Sequence, residues 1–192
     1  MQIVPIFINF LATETLRIDN GRIEKFCYAQ KEASSGRVVS NGGGWQSNNL
    51  ALDAPELQEL FRAVTEKLNE LHRYFSFAPS MRQSISEAWI NISKKDNFNY
   101  THNHPGKFFS GVYYVKGGQN KGNIEFTTPI EGHAYTIHNH MVGAYNSFTG
   151  HALAIPPVTG ELLIFPSWLN HLVRRNESDE DRISIAINSD IA

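Results

Sequence analysis

Three short runs of this 192-residue chain hold side chains able to do chemistry together. In Tyr100-Thr101-His102-Asn103-His104-Pro105 two imidazoles stand two residues apart. On an extended segment such side chains project the same way, so His102 and His104 can share a metal ion. Imidazole suits iron, zinc, copper or nickel, and the pair alone does not choose among them. Two polar histidines in a loop also need bind nothing. A third histidine, His171, follows the turn glycine and apolar run Gly160-Glu161-Leu162-Leu163-Ile164-Phe165-Pro166, and taken by itself it reads as a core-edge residue. Eleven residues later comes Arg182-Ile183-Ser184-Ile185-Ala186-Ile187-Asn188, which alternates strictly. Its isoleucines take one face; Arg182, Ser184, Ala186 and Asn188 take the other. An arginine on the inner face of a small barrel is costly unless it meets an anion. A guanidinium with a serine hydroxyl two residues on makes a clamp for a carboxylate. The competing reading pairs Arg182 with Asp179, Glu180 or Asp181 at the start of the strand, exposed and without function.

A second H-x-H unit, His138-Asn139-His140, lies in the stretch 131–159, which is rich in Gly, Asn, Tyr and Phe and has little core pattern. Such a stretch between barrel strands serves either as a lid or as a plain surface hairpin. With a third histidine, His138 and His140 are the main rival for a metal.

These groups need a scaffold, and the pattern divides the chain in two. The first half carries helices. One is expected over 19–34, with Ile23, Phe26, Cys27 and Gln30 at helical spacing. A second is expected over 53–77, opened by Asp53 with Glu56 in a capping-box-like arrangement. Its apolar stripe is Leu57, Leu60, Phe61, Val64, Leu68, Leu71 and Phe75. Between the helices, Ser40-Asn41-Gly42-Gly43-Gly44-Trp45-Gln46-Ser47 reads as a glycine-rich loop; it lacks the Lys-Ser/Thr and following helix of a phosphate loop. The period-2 N-terminus suggests a first β-strand. From residue 84 onward short β-type runs predict strands near 84–93, 108–116, 122–127, 133–139, 161–166, 171–175 and 182–188. Helices followed by many short strands point to an α+β fold, a sheet sandwich or barrel flanked by N-terminal helices. The absence of repeats and linkers suggests one domain over residues 1–192.

Composition narrows the partners. A formal net charge of −2 and a pI near 6.4 give no electrostatic footprint for nucleic acid or an anionic membrane. No apolar run approaches the roughly 18–20 residues that span a bilayer, and the first residues lack the basic region and cleavage site of a secretory signal. One cysteine, Cys27, rules out an intramolecular disulfide framework and a cysteine zinc site, so a reducing cytoplasm is expected.

Taken in order, H-x-H, the strand Ser110-Gly111-Val112-Tyr113-Tyr114-Val115, the G-x-L-x-x-F-P segment with a distal histidine, and R-x-S resemble the 2-oxoglutarate/iron(II) oxygenase superfamily. The chain is more closely similar to the bacterial and phage family of 2OG-Fe(II) oxygenases, which also has an S-N-x-x-G-W-x-S stretch, matched here by residues 40–47. The resemblance spans 40–188. It implies a double-stranded β-helix, a jelly-roll or cupin-like barrel, and a dioxygenase that uses Fe(II), O2 and 2-oxoglutarate, by default to hydroxylate a small-molecule or peptide substrate that it does not name. It further implies iron ligation by His102 and His171, with Arg182, helped by Ser184, on the far carboxylate of 2-oxoglutarate. Either Tyr113 or Tyr114 would contact the same carboxylate, since alternation turns only one inward; Asn91 and Asn188 are further co-substrate candidates. The chain departs from the superfamily at the second ligand, normally a carboxylate and here His104. A third imidazole leaves the metal one unit more positive and strengthens its hold on a dianion. Glu125 or Asp96 are the alternatives for that ligand. A cupin-like three-histidine metalloenzyme that does not use 2-oxoglutarate, or a non-catalytic ligand-binding barrel, would share part of this pattern.

Overall fold

The computed structural model describes residues 1–2, 9–130, 132, 136–146 and 148–192. Its strands are β1 (Ala12–Thr15), β2 (Asn41–Gly42), β3 (Trp45–Gln46), β4 (Gln83–Ser93), β5 (Phe98–His102), β6 (Phe109–Lys116), β7 (Ile124–Thr127), β8 (Ala152–Ile155), β9 (Glu161–Pro166), β10 (His171–Val173) and β11 (Arg182–Ile191), with helices α1 (Asn20–Ala33) and α2 (Gln58–Tyr74). They form two antiparallel sheets, β1-β9-β6-β11-β4-β3 and β2-β5-β10-β7-β8. This is the double-stranded β-helix arrangement expected, with both helices preceding the main strands.

Period-2 alternation sorts the side chains of the larger sheet. On β11, Ile183, Ile185 and Ile187 are buried against the helix side, in one cluster with Ile23, Cys27, Leu60, Phe61, Val64 and Leu68. Each such aliphatic side chain contributes about 1.5–3 kcal/mol when taken fully out of water. The opposite face looks toward the smaller sheet, where Val112, Tyr114, Ile124, Phe126, Leu163, Phe165 and Leu169 make a second core. The helices thus brace the back of the sheet whose front carries the polar residues of β4 and β11.

Several expected elements change in detail. Asp19 caps α1, accepting from the Arg22 amide at 3.2 Å. Asp53 caps nothing. Consecutive turns, with Ala54 N donating to Ala51 O at 3.2 Å and Leu57 N to Ala54 O at 3.0 Å, delay the start of α2 to Gln58. Burial of Leu57 at the cap position, where no side chain can accept from the helix amides, outweighs the capping box. The glycine-rich loop becomes β2 and β3, one on each sheet. Gly43, at φ +79°, makes the turn between them, and Gly42 lies so close to the Phe98 ring that a Cβ would stand 2.6 Å from it. The strand expected over 133–139 is not found among the described residues: Thr136 is helical and Asn139–Met141 form a 3-10 turn, while 133–135 lie outside the described residues. Residues 3–8, part of the expected N-terminal strand, also lie outside them; β1 occupies the end of that run. Among the described residues no helix is long and apolar enough to cross a membrane.

Candidate metal centre and anion pocket

Strand pairing brings the three histidines together. His171 on β10 stands directly opposite His102 on β5, so the two side chains share a face. His104 lies two residues past the end of β5, held by its backbone: its amide donates to Ser167 O at 2.8 Å, and its carbonyl accepts from the Lys107 amide at 3.3 Å. Ring centres are 4.3 Å apart for His102 and His171, 5.2 Å for His102 and His104, and 5.3 Å for His104 and His171. One ligand nitrogen from each ring lies within 4.8 Å of the others, and among the described residues no other group of three ligands could hold an ion.

Two of the rings are oriented from behind. His102 Nδ1 is 2.7 Å from Tyr100 O and His171 Nδ1 is 2.9 Å from Leu169 O. A carbonyl accepts only from N–H, which fixes the tautomer and leaves Nε2 with its lone pair for a metal. His102 Nε2 is also 3.4 Å from Ser40 Oγ, which accepts from Asn99 Nδ2 at 3.2 Å. The rings of Phe165 and Phe126 stand 4.9 and 5.9 Å from that of His171. Burial disfavours the imidazolium throughout. It lowers the pKa of His102, takes His104 to about 4 with a further push from His102, and takes His171 to about 3 with repulsion from His102 and His104. Neutral imidazole is the form that ligates.

Arg182 lies in the same cavity, 3 % exposed. The acids at the start of its strand are engaged elsewhere: Asp179 with Lys95 at 2.7 Å, Glu180 with Lys121 at 2.8 Å, and Asp181 with the Tyr28 hydroxyl at 2.9 Å. Arg182 donates instead to neutral oxygens. Nη1 reaches the carbonyls of Lys121, Gly122 (3.1 Å) and Arg174 (3.3 Å), and Nη2 reaches Ser93 Oγ at 3.2 Å. Burial holds its pKa below the ordinary arginine value. A guanidinium this buried without a carboxylate is costly, and a dicarboxylic ligand in the cavity would offset that cost.

Ser184, opposite both Asn91 and Tyr114, lines the cavity with them. Asn91 Oδ1 is buried without a hydrogen-bond partner. The tyrosine question resolves by alternation: Tyr114 faces the cavity, whereas the Tyr113 hydroxyl donates to Asn20 Oδ1 at 2.7 Å on the helix side. Asn188 is not among the lining residues; it accepts from Ser110 Oγ at 2.8 Å and donates to Glu87 at 3.1 Å. Neither alternative carboxylate joins the histidines. Glu125 is held by Arg174 through two bonds of 2.8 and 3.0 Å, and Asp96 pairs with Arg175 at 3.2 Å. His138 and His140 stack on each other at 5.7 Å, both exposed, and belong to no three-ligand group among the described residues. His133 lies outside the described residues. Sequence reasoning missed Ser40 and Asn99 as lining residues; the only hint was Ser40 opening the glycine-rich motif. Among the large aromatics, Trp89 lines the cavity, Phe109 is core and Trp168 is half exposed.

A family model described as "Putative 2OG-Fe(II) oxygenase" matches residues 87–188. No curated protein sequence matches. Solved structures share the fold at low identity. A prolyl-4-hydroxylase from Pseudomonas putida is 13 % identical, with a TM-score of 0.64, covering 94 % of this chain and 92 % of that one. The viral collagen prolyl hydroxylase of Paramecium Bursaria Chlorella virus-1, in its 2OG complex, is 12 % identical with a TM-score of 0.61 over 93 % and 94 %. The non-heme alpha ketoglutarate dependent carbocyclase SnoK from nogalamycin biosynthesis is 12 % identical with a TM-score of 0.68 over 93 % and 78 %.

Proposed function

Because the chain belongs to the 2OG-Fe(II) oxygenase family, we propose that it is an iron(II)- and 2-oxoglutarate-dependent dioxygenase with His102, His104 and His171 as its metal ligands. Arg182 takes the far carboxylate of 2-oxoglutarate, with Ser184 and Tyr114 beside it. The observation that carries this reading is a buried guanidinium without an acidic partner among the described residues, in the same cavity as three clustered imidazoles. The donor set fits the group: nitrogen ligands suit iron(II), and Asn91, on the cavity wall, has a buried Oδ1 that lacks a hydrogen-bond donor.

Iron with 2-oxoglutarate and O2 supplies the oxidising power for C–H attack, the co-substrate leaving as succinate and CO2. The chain's own residues position and exclude. The carbonyls of Tyr100 and Leu169 keep the imidazoles of His102 and His171 in the ligating tautomer. The carbonyls of Lys121, Gly122 and Arg174 fix the Arg182 guanidinium at the cavity wall. Phe126 and Phe165 keep water from the back of His171. Hydroxylation is the proposed outcome. The similar structures include hydroxylases and a carbocyclase, so the fold does not select the reaction. The free buried thiol of Cys27 suits a reducing cytoplasm, and the substrate is a small molecule or peptide. Anaerobic loading with iron(II) followed by 2-oxoglutarate titration tests the reading. Calorimetric binding together with a metal-to-ligand charge-transfer band is expected, and both should vanish in Arg182→Ala. Metal binding without any 2-oxoglutarate response would favour a cupin-like enzyme and end this proposal.

A further inference from the structure

We propose that Arg37 is a second anion receptor at the rim of this cavity and selects a primary substrate that carries a carboxylate. The inference deepens the oxygenase reading by assigning a chemical class to its substrate.

The sheet register brings Arg37 to the site. Tyr114 stands opposite Ser184, Ser184 opposite Asn91, Asn91 opposite Gln46, and Gln46 opposite Arg37 through an isolated bridge beyond β3. Directly opposed residues of antiparallel strands share a face. Arg37 therefore continues, at the open edge of the sheet, the polar rank that starts inside the cavity. Its guanidinium carbon lies 5.8 Å from the centre of the Trp89 ring, and the Trp89 ring lies 5.5 Å from that of His104. One indole separates the cation from the third proposed ligand.

The cation is incompletely satisfied. Nη2 donates to Asn49 Oδ1 at 3.0 Å, but the buried Nε has no acceptor, and Arg37 is in none of the ion pairs among the described residues. A buried N–H without a partner is destabilising. Arg37 stands just outside the residues that line the cavity; once a small rotation of its side chain uncovers Nε–H, that group and the adjacent Nη2 form the guanidinium edge that meets a carboxylate with two parallel bonds. The charge of the cavity points the same way independently. Among the described residues no aspartate or glutamate lines it, and the nearby Glu87 is taken up by Lys107 and Asn188. Histidine ligands add no negative charge, so dianionic 2-oxoglutarate would only balance a divalent ion. Arg182 and Arg37 then leave the site cationic, which favours an anionic substrate and disfavours a cationic one.

The test is NMR of the arginine Nε–H groups in the full chain loaded with zinc and 2-oxoglutarate, zinc keeping the sample diamagnetic and inactive. Acetate and acetamide are the two probes, sodium chloride controls for ionic strength, and Arg37→Gln assigns the signal. The Arg37 Nε–H resonance is expected to move saturably with acetate and not with acetamide. Equal responses to the two probes, or no response beyond the salt control, would overturn the proposal. The Arg182 Nε–H resonance, followed during the earlier addition of 2-oxoglutarate, reports the parent reading separately: if it does not move, the co-substrate assignment fails, while the acetate titration still decides Arg37.

Discussion

Arg182 and His104 bear the consequences of charge at single positions. The Arg182 guanidinium spans three carbonyls and a hydroxyl on the wall of the cavity. Lysine keeps the charge but, as a point donor, cannot satisfy the carbonyl cradle and grip a carboxylate at once. Arg182→Lys should therefore melt close to the parent protein, yet bind 2-oxoglutarate about 10- to 100-fold more weakly, about 1.4–2.7 kcal/mol; calorimetry beside a thermal melt separates the two effects. His104 makes the opposite test. His104→Asp would restore the two-histidine, one-carboxylate set and place a negative charge beside the ion. Metal content should persist, while 2-oxoglutarate affinity falls by roughly an order of magnitude from the added repulsion. An unchanged affinity would mean that residue 104 does not touch the metal.

Elements explain which parts of this architecture were legible. The alternation of β11 is written in Arg182-Ile183-Ser184-Ile185, because a sheet with a helix-packed back and a polar front imposes period 2 on its sequence. The stripe of α2 is equally plain. Its start is not, because Asp53 and Glu56 satisfy a local rule that burial of Leu57 overrides. That Tyr114 rather than Tyr113 faces the cavity follows only once the register against Ser184 is known. Arg37 was invisible for the same reason: its place depends on two short strands inside what reads as a loop. Gly122 also gains its meaning only in three dimensions. It precedes β7 at φ +80°, and a Cβ there would stand 2.6 Å from Arg182 Nη1 and 2.7 Å from Arg175 O. Gly122→Ala must strain the backbone and push the guanidinium at once, a cost of about 1–3 kcal/mol for the dihedral alone. Both the melting temperature and the 2-oxoglutarate affinity should drop. A loss of stability with full affinity would show that the cradle does not position Arg182.

The whole molecule carries the cost of holding three imidazoles neutral in one place. His102 and His171 come from adjacent strands of the smaller sheet and His104 from the turn leading to β6 of the larger one, so the cluster joins both halves of the sandwich. Burial, the first cause in each case, lowers the folded-state pKa of His102, that of His104 to about 4 and that of His171 to about 3. In the unfolded chain each titrates near the ordinary value of about 6.5. Between the folded and unfolded values the unfolded chain binds more protons, so stability rises with pH across that window. The contribution is fully present above pH 6.5 and is lost as pH falls toward 4 and then 3. The metal-free protein should therefore lose about 10 °C of melting temperature between pH 7 and pH 5, taking roughly 2–4 °C per kcal/mol for a chain of this size and allowing for partial solvent screening. His171→Gln removes the most depressed of the three groups and should flatten that slope by about a third or more. Melts at constant ionic strength, run after chelation, decide the matter. If the parent and His171→Gln proteins lost stability in parallel on acidification, the imidazole cluster would not be the acid-labile part of the fold.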